Sequence, residues 1–301
     1  MAFYSPLRYP GGKGKLANYI KAIIKSNKLQ DGHYVEVYAG GAAVAIELLF
    51  QEYVSHIHIN DFNPSIYAFW HSVLNETDEL CKKIIDTPVN MDVWRAQKKI
   101  QANPHKYTKL ALGLSTFFLN RTNRSGIIKG GVIGGKNQDG KWKLDARYNV
   151  KDLVKRIDLI AKYRNRISLY NLDAKKMIQN LLPKLPTKSL IYFDPPYYIK
   201  GEGLYDSYYL HNDHVEIAKA ISRNIKRQRW IVSYDDVPEV FELYKGFRHT
   251  TYNLYYAAAD RYQGSEVIFF CDNLLIPEIS DLIFRGNSLR VKSNILKSTS
   301  P

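Results

Sequence analysis

Tyr34-Val35-Glu36-Val37-Tyr38-Ala39-Gly40-Gly41-Ala42 is an apolar run that breaks at a pair of glycines. Val44 to Phe50 follows with the composition of a buried helix, and His56 to Ile59, closing on Asn60-Asp61, reads as a second strand. Strand, glycine turn, helix and strand make a βαβ unit, which implies a mostly parallel sheet. Glycines directly after a first strand let the backbone approach a ligand, because they carry no Cβ. An acidic residue about 20 positions further on can accept hydrogen bonds from ribose hydroxyls. Gly40 and Gly41 fill the first role, and Asp61, 21 residues beyond Gly40, fills the second. The third glycine of a G-x-G-x-x-G loop is missing, which disfavours a pyrophosphate. S-adenosylmethionine has a ribose and an adenine but no phosphate, and fits such a loop. A purely structural strand and turn fits it as well.

Upstream, Tyr9-Pro10-Gly11-Gly12-Lys13-Gly14 is a second close-approach loop, in which Lys13 brings a positive charge and three donors to a carboxylate. Leu16, Ile20, Ile23 and Ile24 then recur at helical spacing. Downstream, from about Asn63 to Arg166, the pattern turns helical, through Trp70, Leu74, Leu80 and Ile84 and then Ala111 to Leu119, before a glycine-rich basic stretch from Ser125 to Lys141. The strand–helix rhythm resumes with Ile167 to Tyr170, Leu190 to Phe193, a helix from Asp213 to Ile225, and strands at Trp230 to Ser233 and Val267 to Phe270. The simplest organisation is an α/β core interrupted by a helical, basic insertion. After about Ile279 the chain is polar and basic, with an end expected to be disordered.

The 301 residues carry 43 Lys and Arg against 29 Asp and Glu, a formal charge of +14. Between Arg121 and Arg166 there are 13 Lys or Arg, 4 Asp and no Glu, so this one stretch holds +9 of it. Such an excess favours a polyanionic partner, nucleic acid first; a solvated basic face is the bland alternative. No apolar run reaches the ~18–20 residues needed to span a bilayer, and the N-terminus lacks the apolar stretch of a signal peptide. A cytoplasmic placement without membrane contact is therefore expected. Cys81 and Cys271 are too few for a disulfide framework or a zinc site. His211 and His214 stand three apart, but no carboxylate–cysteine set completes a metal site, and no metal is expected.

Leu190-Ile191-Tyr192-Phe193-Asp194-Pro195-Pro196-Tyr197-Tyr198 is the most informative stretch, read as a catalytic motif against the bland alternative of a strand-ending turn with a buried tyrosine. The apolar strand stops at Asp194, and two prolines hold the following chain extended. Residues at the carboxyl end of a parallel strand line the ligand crevice. An aromatic amine is a poor nucleophile, because its lone pair is delocalised into the ring. The Asp194 carboxylate and the Pro195 carbonyl, placed at the amino hydrogens, draw that nitrogen towards tetrahedral geometry. The rest is in-line displacement governed by positioning and electrostatics. Tyr197 is placed to stack on the target base, which in a duplex must first be flipped out at a cost of a few kcal/mol.

Y-P-G-G-K, V-E-V-Y-A-G-G-A at Val35 to Ala42 and D-P-P-Y at Asp194 to Tyr197 occur in that order, and the sequence resembles the alpha group of adenine-N6 DNA methyltransferases, the Dam-like enzymes. The resemblance runs to about Leu275. It implies a Rossmann-like α/β fold, with helices on both faces of a mostly parallel sheet and an inserted helical target-recognition region. Residues 1–63 and 166–280 would form the catalytic, cofactor-binding domain, 64–165 the DNA-binding insertion and 281–301 a basic tail. It implies S-adenosyl-L-methionine as cofactor and double-stranded DNA as partner, with a cognate restriction endonuclease or a solitary regulatory role both open. A bacterial or phage-type enzyme associated with the nucleoid through DNA follows from the same likeness.

The resemblance also distributes roles. Tyr9, Gly11, Gly12, Lys13, Tyr38, Gly40, Gly41, Asp61, Asp173 and Asp194 would bind the cofactor, with Lys13 near its methionine part, Asp61 at the ribose and Asp173 at the adenine. Asp194, Pro195, Pro196 and Tyr197 would be catalytic. Asn120, Arg121, Arg124, Ser125, Ile127 and Lys129 would touch DNA. Two departures stand out: Tyr9 where tryptophan is common, and Tyr38-Ala39-Gly40-Gly41-Ala42 for the usual F-x-G-x-G. Lys136 to Tyr148 has no close match in the enzymes that modify GATC, so that specificity does not carry over. RNA stays open on the motif alone, since its adenine presents the same amine. Glutamine-modifying enzymes usually show asparagine in place of Asp194 and lack the G-G-K loop. The missing third glycine and the D-P-P-Y motif count against an oxidoreductase, and the intact motif against an inactive DNA-binding protein. The Asp235-Asp236 pair, following a strand end, reads as a cap or turn.

Overall fold

The computed structural model describes residues 4–8, 13–199, 209–257 and 261–277, and for 13, 15, 253–257 and 261–264 the backbone alone. Tyr9 to Gly12 and the basic tail therefore lie outside the described residues.

The first half of the core runs α1 (Ala17–Ser26), β1 (Gly32–Glu36), α2 (Ala43–Phe50) and β2 (Val54–Asn60). Five helices follow: α3 (Pro64–Asn75), α4 (Thr77–Asp86), α5 (Met91–Ala102), α6 (Lys109–Thr122) and α7 (Val150–Lys162). The chain then returns through β3 (Ile167–Tyr170), α8 (Ala174–Asn180), β4 (Ser189–Phe193), α9 (His211–Asn224), β5 (Arg229–Asp235), α10 (Pro238–Leu243), β6 (Arg248–Ala257) and β7 (Arg261–Phe270). The strands form one seven-stranded sheet in the order β3-β2-β1-β4-β5-β7-β6. β1 to β5 pair in parallel, and β7 lies antiparallel between β5 and β6. The mostly parallel Rossmann-like sheet expected from the sequence is the one observed. β4 is buried along its whole length, which is why Ser189-Leu190-Ile191-Tyr192-Phe193 reads as a continuous run and not an alternation.

The register brings the carboxyl ends together. Glu36 of β1 sits beside Ile59 of β2 and Tyr192 of β4, Asn60 of β2 beside Tyr170 of β3, and Phe193 of β4 beside Val232 of β5. The loops that start at Tyr38, Asp61, Asn171 and Asp194 therefore leave one edge of the sheet, the place where open α/β sheets bind ligands.

Four of the five helices between β2 and β3, all but α4, begin at polar side-chain caps. Asn63, Asn90, Thr108 and Asn149 accept from the backbone N–H of Ser65, Val93, Ala111 and Asp152, each satisfying a donor the first turn leaves unpaired. α6 is buried from Leu112 to Thr122 and packs on α3 and α5. Gly113 permits that approach, since a Cβ there would come 2.8 Å from the Ala68 carbonyl oxygen of α3. Phe69, Trp70, Phe117, Phe118 and Leu153 share one continuous apolar core with the sheet residues Ile57, Ile191 and Ile231.

Candidate active site and nucleic-acid interface

The glycine loop is held by its neighbours. Gly40 donates its N–H to Asp61 Oδ2 at 2.9 Å, and Trp70 of α3 donates its indole N–H to the Gly40 carbonyl at 2.9 Å. Gly40 (φ 45°) and Ala42 (φ 47°) both take the left-handed conformation. Ala42 stands where the F-x-G-x-G pattern has its second glycine, so here a residue with a Cβ adopts the backbone that glycine would adopt without strain.

Asp61 also accepts the Asn63 N–H at 2.9 Å. Asn60, buried at the end of β2, spans the gap to the next loop: it donates to the Val37 and Leu172 carbonyls and accepts from Leu172 N–H. Asn171 donates to the carbonyls of Asp61 and Phe62. Asp61 and Asp173 thus belong to two cross-tied loops, and Asp173 caps α8 through Lys176 N–H. Each acid has an exposed apolar neighbour, Phe62 at 61% and Leu172 at 37%. Sequence reasoning passed over both, although their adjacency to the two acids was there to read. Two carboxylates with apolar surface beside them suit the hydroxyls and flat faces of a nucleoside, whereas a diphosphate would meet like charge.

Asp194 leaves β4 with its Oδ1 accepting from Ser233 Oγ of β5 at 2.8 Å, and Ser233 Oγ lies 2.7 Å from the Tyr192 hydroxyl. Tyr197 donates its hydroxyl to Glu266 Oε1 of β7 at 2.9 Å, and Tyr252 of β6 donates to the other oxygen of that buried carboxylate. Asp235 accepts from Tyr198 N–H (2.8 Å) and Ile199 N–H (3.1 Å), so it caps the backbone just past the D-P-P-Y motif. The motif is therefore tied at three points, to β5, to the β6–β7 hairpin and to the end of β5. Beneath it, Glu36 is buried and accepts from Ala45 N–H at 3.0 Å. Burial pushes the Glu36 carboxyl up to about 8; the Ala45 bond opposes the shift and the charge of Asp194 adds to it.

Lys13 opens a short turn, Lys13–Leu16, of which the backbone is described. Tyr38 lies half-buried at the rim, with its hydroxyl 3.1 Å from that of Tyr209. Among the described residues no group of three or more His, Cys, Asp or Glu gathers to hold a metal ion, and no helix is long and apolar enough to cross a membrane.

The six residues expected to touch DNA divide into two sets. Arg124, Ser125 and Lys129 are exposed and Ile127 is half-buried, on one short segment. Ser125 holds φ at 55°, a conformation uncommon outside glycine. Asn120 and Arg121 require correction. Asn120 is 1% exposed and Arg121 8% exposed. The Asn120 amide bridges the Arg8 backbone and the Gly126 carbonyl. The Arg121 guanidinium donates to the Pro6 carbonyl. Burial, then the nearby charges of Arg156 and Arg8, lower its pKa. Both side chains are spent inside the protein, fastening Pro6 and Arg8 to α6 and the segment that follows it. Sequence gave no warning, because buried polar residues on an apolar helix look like an exposed polar stripe. It also missed the braces beneath the segment. Asn123 donates to the Ile127 and Ile128 carbonyls and accepts from the Trp94 indole, and Lys98 donates to the Lys129 carbonyl.

Residues 9–258 match the family described as D12 class N6 adenine-specific DNA methyltransferase. The chain belongs to that family. It is accordingly an adenine-specific DNA methyltransferase, in agreement with the motif order read from the sequence. The type II methyltransferase M.MjaIII of Methanocaldococcus jannaschii is 22% identical over 268 residues, covering 80% of this chain and 88% of that protein. Among solved structures, the rRNA methyltransferase aviRa from Streptomyces viridochromogenes is 9% identical with a TM-score of 0.37, covering 84% of each chain. M. capricolum TrmK in complex with S-adenosyl-homocysteine is 6% identical with a TM-score of 0.35, covering 83% of this chain and 68% of that one. At such TM-scores these likenesses carry no weight, and the fold rests on the strand order.

Proposed function

We propose that this enzyme moves the methyl group of S-adenosyl-L-methionine to the N6 amino group of an adenine turned out of duplex DNA, with Asp194, Pro195, Pro196 and Tyr197 as the catalytic motif. The observation that carries the reading is the anchoring of Asp194: a carboxylate at the carboxyl end of a central strand, oriented by the Ser233 hydroxyl. When bound, the cofactor supplies an electrophilic methyl on a sulfonium. Asp61 would hold the ribose hydroxyls and Asp173 the adenine, with Phe62 and Leu172 against its faces. Tyr9, Gly11, Gly12 and Lys13 would line the methionine end, and Gly40 and Gly41 would let the backbone approach. The Asp194 carboxylate and Pro195 carbonyl would accept from the two amino hydrogens of the base. Tyr197, buried at 6% exposure with its hydroxyl on Glu266, would offer its ring for stacking once the base enters the site, worth roughly 1–3 kcal/mol against the cost of flipping.

Arg124, Ser125, Ile127 and Lys129 form the proposed DNA contact, on a segment held by Asn123 and Lys98. Residues 64–165 would read DNA while 1–63 and 166–280 carry the chemistry. The type II name of M.MjaIII favours a paired restriction endonuclease over a solitary role. The test incubates the protein with methyl-labelled S-adenosylmethionine and methylation-free DNA, then separates the nucleosides. Label in N6-methyl-2′-deoxyadenosine is expected. Label in RNA or protein and none in DNA would overturn the substrate, and no transfer at all would overturn the activity.

A further inference from the structure

We propose that Tyr209 is a wall of the cofactor site, contributing its hydroxyl to the adenosine half of a bound S-adenosyl compound. The inference rests on the reading above that Asp61 and Asp173 face adenosine.

Tyr209 precedes α9, twelve residues after Tyr197, and nothing in the sequence pattern marks it as part of the cofactor half. Its hydroxyl lies 3.1 Å from that of Tyr38, and the two rings meet edge to face at 6.1 Å and 74°. Tyr38 lies in the loop that leaves the first strand and leads into Gly40 and Gly41, so this contact joins the segment entering α9 to that loop. The charges of Asp173, Asp213 and Asp61 all bear on the Tyr209 hydroxyl. Asp213 is occupied, capping α9 by accepting the Leu210 N–H at 2.8 Å. The other two are the acids placed at the adenosine. Hydrogen bonds tie the four segments together at the sheet edge: Gly40 N–H on Asp61 joins the loops after β1 and β2, Asn60 joins Val37 to Leu172 after β3, and Tyr38 meets Tyr209 at the entry to α9.

The ring is held from below. His214, fully buried, stands 5.3 Å from it at 66°. His214 Nδ1 is fixed by the Tyr234 hydroxyl at 2.9 Å, while its Nε2 has no hydrogen-bond partner among the described residues. A ring braced in this way does not need the Tyr38 bond to stay in place. Burial pushes the Tyr209 phenol up to about 12, so it keeps its proton across the physiological range. Of the two phenolic protons one serves the pair, and the other is available to an acceptor that a ligand brings. Ribose oxygens and the ring nitrogens of adenine are such acceptors, and a phenol proton beside two carboxylates suits a nucleoside better than an anion.

The test is calorimetric titration with S-adenosylhomocysteine, which binds without turnover. Tyr209→Phe, lacking the hydroxyl, is expected to weaken binding about fivefold, the size of one hydrogen bond. Tyr209→Ala, lacking the ring, should weaken it further. Adenosine competing for the site should lose affinity by the same factor, and Tyr38→Phe should show a loss of similar size. Melting of the ligand-free protein and its affinity for DNA should stay at wild-type values in Tyr209→Phe. Wild-type affinity in Tyr209→Phe, or equal losses in ligand-free stability and DNA binding, would overturn the assignment and leave Tyr209 a structural brace. Failure of the wild-type protein to bind S-adenosylhomocysteine would instead overturn the cofactor reading on which it rests.

Discussion

Removing the Asn120 amide tests whether this residue is internal scaffolding or a DNA contact. Its Oδ1 accepts the Arg8 N–H at 2.7 Å, and its Nδ2 donates to the Arg8 carbonyl at 2.5 Å and the Gly126 carbonyl at 2.9 Å. Asn120→Ala leaves three backbone groups without these partners. A buried group stripped of its partner costs about 1–3 kcal/mol. Arg8 is only half-buried, so water relieves part of the loss, and the low end of the range gives about 3 kcal/mol. At about 2 °C per kcal/mol for a chain of this size, the melting temperature should fall by roughly 6 °C. Asn120→Asp sharpens the test. Its shape is the same, but an oxygen replaces the donor and faces two carbonyls inside the protein. It should destabilise at least as much as alanine. Scanning calorimetry of the three proteins measures this. The affinity for S-adenosylmethionine should fall as well, because residues 5–8 lead into the Tyr9–Lys13 loop. If both variants melt within about 2 °C of wild type while losing only DNA affinity, Asn120 is a DNA contact and the scaffold argument is wrong.

Asp194→Asn keeps an acceptor for Ser233 Oγ but loses the charge. Methyl transfer should drop by about 10²–10³, the scale of losing one preorganised electrostatic group, with the fold intact by circular dichroism; activity near wild type would remove Asp194 from the catalytic role. Lys129→Ala should weaken DNA binding and reduce the salt slope by about one unit, measured by anisotropy between 50 and 200 mM salt; an unchanged slope would place Lys129 outside the interface. The stacked histidines on β1 and β2 give a pH prediction. His33, His56 and His58 lie 4.8–5.1 Å apart, and His58 bonds His33 and Tyr170. Burial, with the neighbouring His56 and His33, lowers the His58 pKa to about 3. The unfolded chain, with His near 6.5, then binds the extra proton, so this stability is present above about 6.5 and is lost as pH falls towards 3. His58→Gln should flatten the melting curve against pH over that window by up to about 1.4 kcal/mol per pH unit. Parallel curves for variant and wild type would refute it.

The sequence by itself determined the five parallel strands, the order of the motifs and the family, but not the edge strand β6. Those signals are local: an apolar run of strand length, glycines after it, an acid at the next strand end, prolines after Asp194. Each depends on residues within a few positions, where backbone chemistry has few choices. β3 keeps the expected ends, while β7 begins six residues early, at Arg261, and Tyr38, written into the first strand, lies in the loop beyond it, because neighbouring strands decide where pairing stops. What only the tertiary structure decided is which polar side chains are spent inside. Asn120 and Arg121 are polar DNA-contacting residue types, as Arg124 and Lys129 are, and sequence could not separate them. The difference is made by residues 5–8, more than 110 positions away, whose backbone groups claim the first pair and leave the second at the surface. The same holds for Ser233 and Glu266 at the D-P-P-Y motif and Tyr209 at the glycine loop. A hydrogen bond has a range of about 3 Å and no memory of chain distance, so such partnerships exist only once the sheet has brought the strand ends together.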